Sequence, residues 1–344
     1  MRSIIKLILP LPWLLVFYFI SFSHSLSADT KSSLGKVSGG MAYSTPDWFK
    51  ESFLDIKEDI AEAEQANKQV MLFFHLENCP YCAKMLEDSF TKEPLKSYIQ
   101  SHFDVIAINI RGDREVALTE DQSLLEKELA KELKIQYTPT ILFLDATNKP
   151  IQRLNGYRSP EQFEPILKFV ADKAYQKQTL TEYLDKNATQ ALYEFKDNNL
   201  FQAITDFSSI KTPLAVIFED QRCKDCEYLH TKLLTREDVL QEFKAFSVVR
   251  LDASSSNEII DPNGNKTTPK AWAEALALDY RPGMVLFDQG KEVTRMDGLL
   301  YGYHFRELLR YVSSKAYESL GFHPYLGKRQ AELLEQGINI NMSE

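Results

Sequence analysis

The run 70-VMLFFHLENCPYCAKM-85 decides how this chain is read. Its opening, 70-VMLFFHL-76, is too short for a helix and suits a strand buried on both faces. Two cysteines two residues apart follow at once, and 83-AKMLEDSFTKEPLKSYIQ-100 then reads as helix. A strand leading into a CxxC that opens a helix sets Cys79 at the helix N-terminus. There, free backbone N–H groups and the helix dipole favour an anion. The thiolate is the reactive form of cysteine, so Cys79 is predicted to attack, and Cys82, one turn deeper, to resolve the mixed disulfide. Pro80 falls near the first helical position, where a missing N–H does no harm.

The pattern occurs twice. Residues 213-PLAVIFEDQRCKDC-226 repeat the strand and the cysteine pair, and 246-FSVVRLDAS-254 repeats the middle strand 103-FDVIAINI-110. Residues 280-YRPGMVLFDQGKEVTRMDG-298 repeat 137-YTPTILFLDATNKPIQRLNGY-157 as Tyr, Pro, strand, turn, strand, Gly. Residues 302-GYHFRELLRYVSSKAY-317 repeat the helix 159-SPEQFEPILKFVADKAY-175, with Ser159 as its N-cap and Pro160 as its first residue. Cys223 lies 144 residues after Cys79, Pro282 143 after Pro139, and Gly298 142 after Gly156. Four landmarks in one order near one offset, Tyr175 and Tyr317 being the fourth, mark an internal duplication of an α/β unit. Cys223 and Cys226 are thereby predicted to repeat the roles of Cys79 and Cys82.

Two other uses of four cysteines fit less well. Zinc sites of paired CxxC type place the pairs about 15–20 residues apart, whereas these stand in separate copies of the unit. A stabilising staple gains most from closing a long loop, and a CxxC disulfide closes a very short one. No metal and no cofactor is expected.

The 344 residues are too many for one ordinary core, and 44% apolar with 26% charged residues is the composition of a folded soluble protein. The net charge of −9 argues against nucleic acid or an anionic membrane as partner. Residues 1–28 begin with Arg2 and Lys6, continue through an apolar run and end in 25-SLSA-28, the layout of an export signal. An uncleaved membrane anchor is the alternative. Export suits disulfide chemistry. The expected organisation is a signal over 1–28, a flexible lead over 29–45, a first domain over 46–175, a helical connector over 176–201, a second domain over 202–317 and a tail over 318–344. Within these, 119-TEDQSLLEKELAKEL-133 is expected to be helical, and 254–271 to be a long insert.

Strand, CxxC, helix, and a Thr-Pro 60 residues after the first cysteine together resemble the thioredoxin superfamily. The first half is similar to periplasmic SoxW-like thioredoxins through 46-PDWFKESFLDIKEDIAEAE-64, 71-MLFFHLENCPYCAKM-85, 104-DVIAINIRGDREV-116 and 138-TPTILFLD-145. The resemblance implies an α/β fold of two tandem thioredoxin-like domains, each a mixed sheet flanked by helices. It also implies a cis proline lying against each CxxC, with the preceding residue offering its backbone to an extended substrate. Thr138 with Pro139, and Arg281 with Pro282, match those positions, and Pro80 and Tyr81 lie between the first cysteines. Two departures stand out. Phe73 and Ile217 occupy the place of the family's buried acid, and the Trp-Cys-Gly-Pro-Cys signature is absent. Glu77, Lys84, Glu219 and Asp220 are nearby charges, read as solvated surface residues. His75 and His230 lie near the cysteines and are read as ordinary packed or surface histidines. Arg281 adds a cation beside the second pair, and Lys224-Asp225 there replaces Pro80-Tyr81, so the two sites are expected to differ.

The implied activity is exported, periplasmic thiol–disulfide exchange with client proteins. A reductant relay fed by a membrane thiol transporter is the first reading. A disulfide isomerase or oxidase, or a second domain that only docks clients, are the alternatives.

Overall fold

Apolar runs that alternate between two buried faces build the two sheets of this molecule. The structure, a computed structural model, describes residues 34–119, 122–187 and 193–344; the expected signal over 1–28 lies outside them. Among the described residues no helix is long and apolar enough to cross a membrane. The chain opens with β1 (Val37–Ser38), α1 (Ile56–Gln65), β2 (Gln69–His75), α2 (Pro80–Met85), α3 (Leu95–His102) and β3 (Phe103–Asn109). Next come β4 (Glu115–Thr119), β5 (Gln122–Leu125), α4 (Glu126–Glu132), β6 (Thr140–Leu144), β7 (Pro150–Asn155), α5 (Pro160–Ala171) and α6 (Leu180–Asn187). The second copy comprises β8 (Leu214–Glu219), α7 (Cys226–Tyr228), α8 (Glu237–Phe243), β9 (Ser247–Asp252), β10 (Ile259–Ile260) and β11 (Lys266–Thr267). It continues with α9 (Pro269–Ala275), β12 (Gly283–Asp288), β13 (Lys291–Met296) and α10 (Gly302–Ser313), and the chain closes with α11 (Phe322–Glu335) and β14 (Ile340–Asn341).

The sheets are ordered β3-β2-β6-β7 and β9-β8-β12-β13. In each, the first pair is parallel and the other two are antiparallel. Strand β2 sends Val70, Leu72 and Phe74 to one face, where Ile56 and Ile60 of α1 and Leu129 of α4 cover them. Met71 and Phe73 point the other way, onto Met85, Ile99 of α3 and Phe163 of α5. Both faces are buried, which is why the strand is apolar throughout. The apolar cluster that starts at Phe73 runs without a break into the second domain, to Ile217, Phe305 and Leu308.

The repeat also dictates how the domains meet. Gly156 and Gly298, 142 residues apart, pack on each other: a Cβ on Gly298 would stand 2.6 Å from the Asn155 carbonyl oxygen and 2.9 Å from Gly156 Cα. Their neighbours Asn155 and Asp297, again counterparts, are joined by an Nδ2–Oδ2 hydrogen bond of 3.1 Å. Arg158 lies 3.4 Å from Asp297, both side chains buried. Each copy thus presents the same corner to the other, the signature of an isologous contact.

Several expectations need correction. The helix expected over 83–100 breaks into α2, a π-type turn over Leu86–Phe90 and α3. Pro94 lacks an N–H and disfavours helical backbone before it. Helix does not extend over 119–133 either. Gln122–Leu125 pairs with β4, because Leu118 and Leu124 pack under the sheet and that packing overrides helix propensity. The described part of the 29–45 lead is not loose: Val37 and Ser38 pair in parallel with Ile340 and Asn341. Of the 176–201 connector, Leu180–Asn187 is helical, whereas 193–198 has no regular structure. The 254–271 insert holds the β10–β11 hairpin. The tail carries α11, whose Tyr325 hydroxyl donates to Glu307 of α10 at 2.8 Å and whose Phe322 packs on Tyr137 of the first domain. Helix α5 begins as read, with Ser159 as N-cap, Pro160 first, and Gln162 Oε1 accepting from the Ser159 N–H at 3.0 Å.

Gly298→Ala forces a methyl group into the Asn155 backbone and is expected to destabilise the chain by about 1–3 kcal/mol. Gly327→Ala, in α11 with nothing within 4 Å of the added Cβ, is expected to stabilise by about 0.5–1 kcal/mol. Thermal unfolding of both variants checks this; equal melting points would contradict the tight domain contact.

Candidate active site

At the end of β2 the chain turns through Leu76–Asn78 and enters α2 with Cys79 as the N-cap. The Cys79 Sγ accepts the Cys82 backbone N–H at 3.1 Å, as the helix-terminus argument requires. Across the gap stands the cis Thr138–Pro139 bond. Thr138 Oγ1 donates to Cys79 Sγ at 3.4 Å, and the Thr138 carbonyl oxygen lies 3.5 Å from the same sulfur. Cys79 and Cys82 form a disulfide. Cys79 is 6% exposed and Cys82 is fully buried, so one sulfur has an approach and the other has none.

Tyr81 lies under the second domain. Its ring stacks on Tyr301 with centroids 4.9 Å apart, and its hydroxyl accepts the Tyr301 N–H at 2.9 Å. The same hydroxyl lies 3.0 Å from His304 Nδ1, so the imidazole is held against Tyr81 through that nitrogen. Burial, with some help from His323, pushes the His304 pKa down to about 4, so this ring is neutral near pH 7. Tyr81, a substrate contact in the sequence reading, thus has its hydroxyl and one ring face engaged by the second domain while it also lines the cavity beside Cys79.

Cys79 opens instead into a cavity of about 550 Å³. Thr138 and Tyr81 line one side, Gly298 and His304 of the second domain another, and His323 of α11 a third. A site that looks in sequence like a property of the first domain is walled by both domains and by the tail.

The second pair is built differently. Cys223 and Cys226 also form a disulfide, and Arg281–Pro282 is also cis. Helix α7, however, starts at Cys226, with Asp225 as its N-cap. Cys223 stands outside the helix and lacks the cap geometry of Cys79. Cys223 is 1% exposed and Cys226 fully buried, with Tyr193 and Phe195 of the connector packed on them. The residues between the sulfurs are engaged by the first domain: Lys224 pairs with Glu161 at 2.5 Å, and Asp225 accepts from Gln162 Nε2 at 3.0 Å. Tyr280 adds a 2.7 Å hydrogen bond to Asp225. Arg281 is a buried partner of Asp220, 3.1 Å away, rather than a free cation beside the sulfurs.

Glu219 and Asp220, read from the sequence as solvated, are buried. Glu219 holds His230 Nε2 at 2.7 Å and accepts the Tyr193 hydroxyl at 3.2 Å. Its place at the end of the fully buried strand β8 was the available signal. Lys84 pairs with Asp88, and Glu77 is exposed at the cavity mouth. The Tyr43 hydroxyl donates to the Leu76 carbonyl at 2.7 Å and lies 3.0 Å from His75 Nδ1. Nothing in local spacing marks Tyr301, Tyr303, His304 or His323 as neighbours of Cys79.

A family profile described as a thioredoxin-like domain matches residues 56–171 and again 200–313. Among curated proteins none matches. A solved thioredoxin-fold protein from Helicobacter pylori is 27% identical, covering 38% of this chain and 96% of its own, with a TM-score of 0.32. A thioredoxin from Thermus thermophilus is 26% identical, covering 35% of this chain and 85% of its own, at 0.28. The C-terminal domain of DsbD from Neisseria meningitidis is 17% identical, covering 33% and 90%, at 0.24. These comparisons do not single out the SoxW-like group.

Two pH windows follow. His304 has a folded pKa near 4 against an ordinary 6.5, so the unfolded chain binds more protons between those values. The stability from its neutral form is full above pH 6.5 and lost as pH falls toward 4, at most about 3 kcal/mol. The Lys224 ammonium holds the Glu161 carboxyl down at about 2, so that pair contributes above pH 4.5 and is lost as pH falls toward 2. Denaturant melts of His304→Asn between pH 4 and 6.5 are expected to show a shallower slope than the parent; an unchanged slope would contradict the burial of this ring.

Proposed function

This chain belongs to the thioredoxin-like family and is a thiol–disulfide oxidoreductase, and we propose that Cys79–Cys82 is its reacting pair while Cys223–Cys226 stays closed inside the second domain. The observation that carries this reading is the contrast between the two sulfurs at the helix starts. Cys79 is an N-cap, receives a backbone N–H, faces Thr138 and opens to a cavity. Cys223 precedes its helix and is covered by Tyr193 and Phe195.

In the reductive direction the Cys79 thiolate attacks one sulfur of a client disulfide and expels the other as a thiolate. The Cys82 thiol then attacks Cys79 Sγ, the Cys79–Cys82 disulfide closes, and the client leaves with two electrons and two thiols. The Cys82 N–H and the Thr138 hydroxyl stabilise the Cys79 thiolate that makes the first attack. Pro80 shapes the cap, and Thr138 with Pro139 offers the backbone edge along which a client strand lies. Tyr81 and Arg281 do not join them, being bound within the fold. The setting is the periplasm, supported by the basic, apolar and small-residue order of 1–28. There the pair serves as a reductant relay, taking electrons from a membrane thiol transporter and passing them to client proteins.

Removing the resolving cysteine leaves the mixed disulfide trapped. Cys82→Ser is expected to accumulate clients linked through Cys79, and Cys226→Ser is expected to accumulate none through Cys223, read on non-reducing gels of the full chain. Cys79→Ser is expected to abolish disulfide reduction, and Cys223→Ser to keep it while lowering the melting point. Adducts on Cys223, or retained activity in Cys79→Ser, would overturn the assignment.

A further inference from the structure

The cavity beside Cys79 holds polar groups that the exchange mechanism leaves unused. Tyr303, 5% exposed, lines it, and its hydroxyl is buried with no hydrogen-bond partner among the described residues. Burial pushes the Tyr303 pKa up to about 12, so the hydroxyl keeps its proton as a donor. His323 lines the same cavity, and its Nε2 is likewise buried without a partner. His304 lines the cavity too, with its Nδ1 engaged by the Tyr81 hydroxyl. Arg111 stands at the wall, and among the described residues its guanidinium makes no ion pair. The acids on the same lining are Asp297, already bonded to Arg158 and Asn155, and the exposed Glu77. Buried polar atoms are almost always satisfied, and an unsatisfied donor costs about 1–3 kcal/mol. A phenolic donor without a partner, on a cavity whose wall also carries the exposed Arg111 guanidinium, suits an acceptor that bears negative charge. The volume, about 550 Å³, is that of a small-molecule site, not of a folded protein surface.

We propose that this cavity binds a carboxylate carried close to the reacting sulfur, so that the preferred partner of Cys79 is a thiol or disulfide with an adjacent acid. The inference rests on Cys79 being the attacking residue. Arg111, Tyr303 and His323 receive the carboxylate, while the partner's sulfur meets Cys79 under Thr138. The carboxylate has two sources, a low-molecular-weight cysteinyl compound or an acidic residue beside cysteine in a flexible protein segment. The exchange balances without a further reagent: the reduced pair and RS–SR give the Cys79–Cys82 disulfide and two RSH. One S–S bond forms as one breaks, and the two thiol protons pass to the products.

The test is a single turnover of the pre-reduced full chain, read as loss of free thiol. The small probes are oxidised glutathione, which bears carboxylates, neutral bis(2-hydroxyethyl) disulfide and cationic cystamine. A flexible peptide disulfide with Glu beside Cys is compared with its Gln counterpart. Each rate is divided by that of the same disulfide with dithiothreitol, which removes intrinsic reactivity. The acidic probe is expected to exceed the neutral one by about tenfold, equivalent to about 1.4 kcal/mol. Arg111→Gln and Tyr303→Phe are each expected to shrink that ratio severalfold. A preference confined to glutathione supports the small-molecule source, and one confined to the Glu peptide supports the protein segment. Equal normalised rates, or ratios that neither variant changes, would overturn the proposal alone. No exchange at Cys79 with any probe would overturn the reading of the reacting pair, and this inference with it.

Discussion

Two glycines set the terms for everything else in this molecule. Gly156 and Gly298 end equivalent strands, and neither has a side chain to keep the other's backbone away. Their approach brings the corner beside each cysteine pair against the other copy, and the Asn155–Asp297–Arg158 cluster locks it in a buried setting. Burying that cluster carries a desolvation cost: burial raises the Asp297 pKa although Arg158 opposes the shift. The arrangement ties the two domains together at equivalent corners, through a close backbone approach and a buried ion pair.

That placement explains why the two cysteine pairs diverge. Docking buries Tyr81 against Tyr301 and His304 but leaves Cys79 Sγ at the wall of a cavity. On the other side it draws Lys224 and Asp225 onto Glu161 and Gln162. The chain between Cys223 and Cys226 is committed to those contacts, and the helix begins only at Cys226. The same spacing of sulfurs yields a helix-capping thiol in one copy and an enclosed pair in the other. The tail and β1 complete the wall of the first site, so chain far from Cys79 in sequence shapes what reaches it.

Much of this was legible in the residues. The apolar run 70–76, the CxxC, the Thr-Pro before 140–144 and the repeat offset near 143 led to the two sheets and the helix starts. Each of these signals is local or repeats at a fixed distance. The errors have a common cause as well. Helical character over 83–100 yielded to Pro94, and over 119–125 to the packing of Leu118 and Leu124. Glu219 and Asp220 look like ordinary surface acids until His230, Tyr193 and Arg281 enclose them.

The sequence by itself determined the α/β unit, its duplication, the four cysteines and the prolines that face them, because strand period, helix capping and proline chemistry act within a few residues. Only the tertiary structure decided which pair is reachable, that both domains and the tail wall the Cys79 cavity, and that Tyr303, His304, His323 and Arg111 share it. Those outcomes depend on side chains that meet across one to more than two hundred positions of chain. The contact that brings them together is an approach of two backbones, which no single residue pattern encodes.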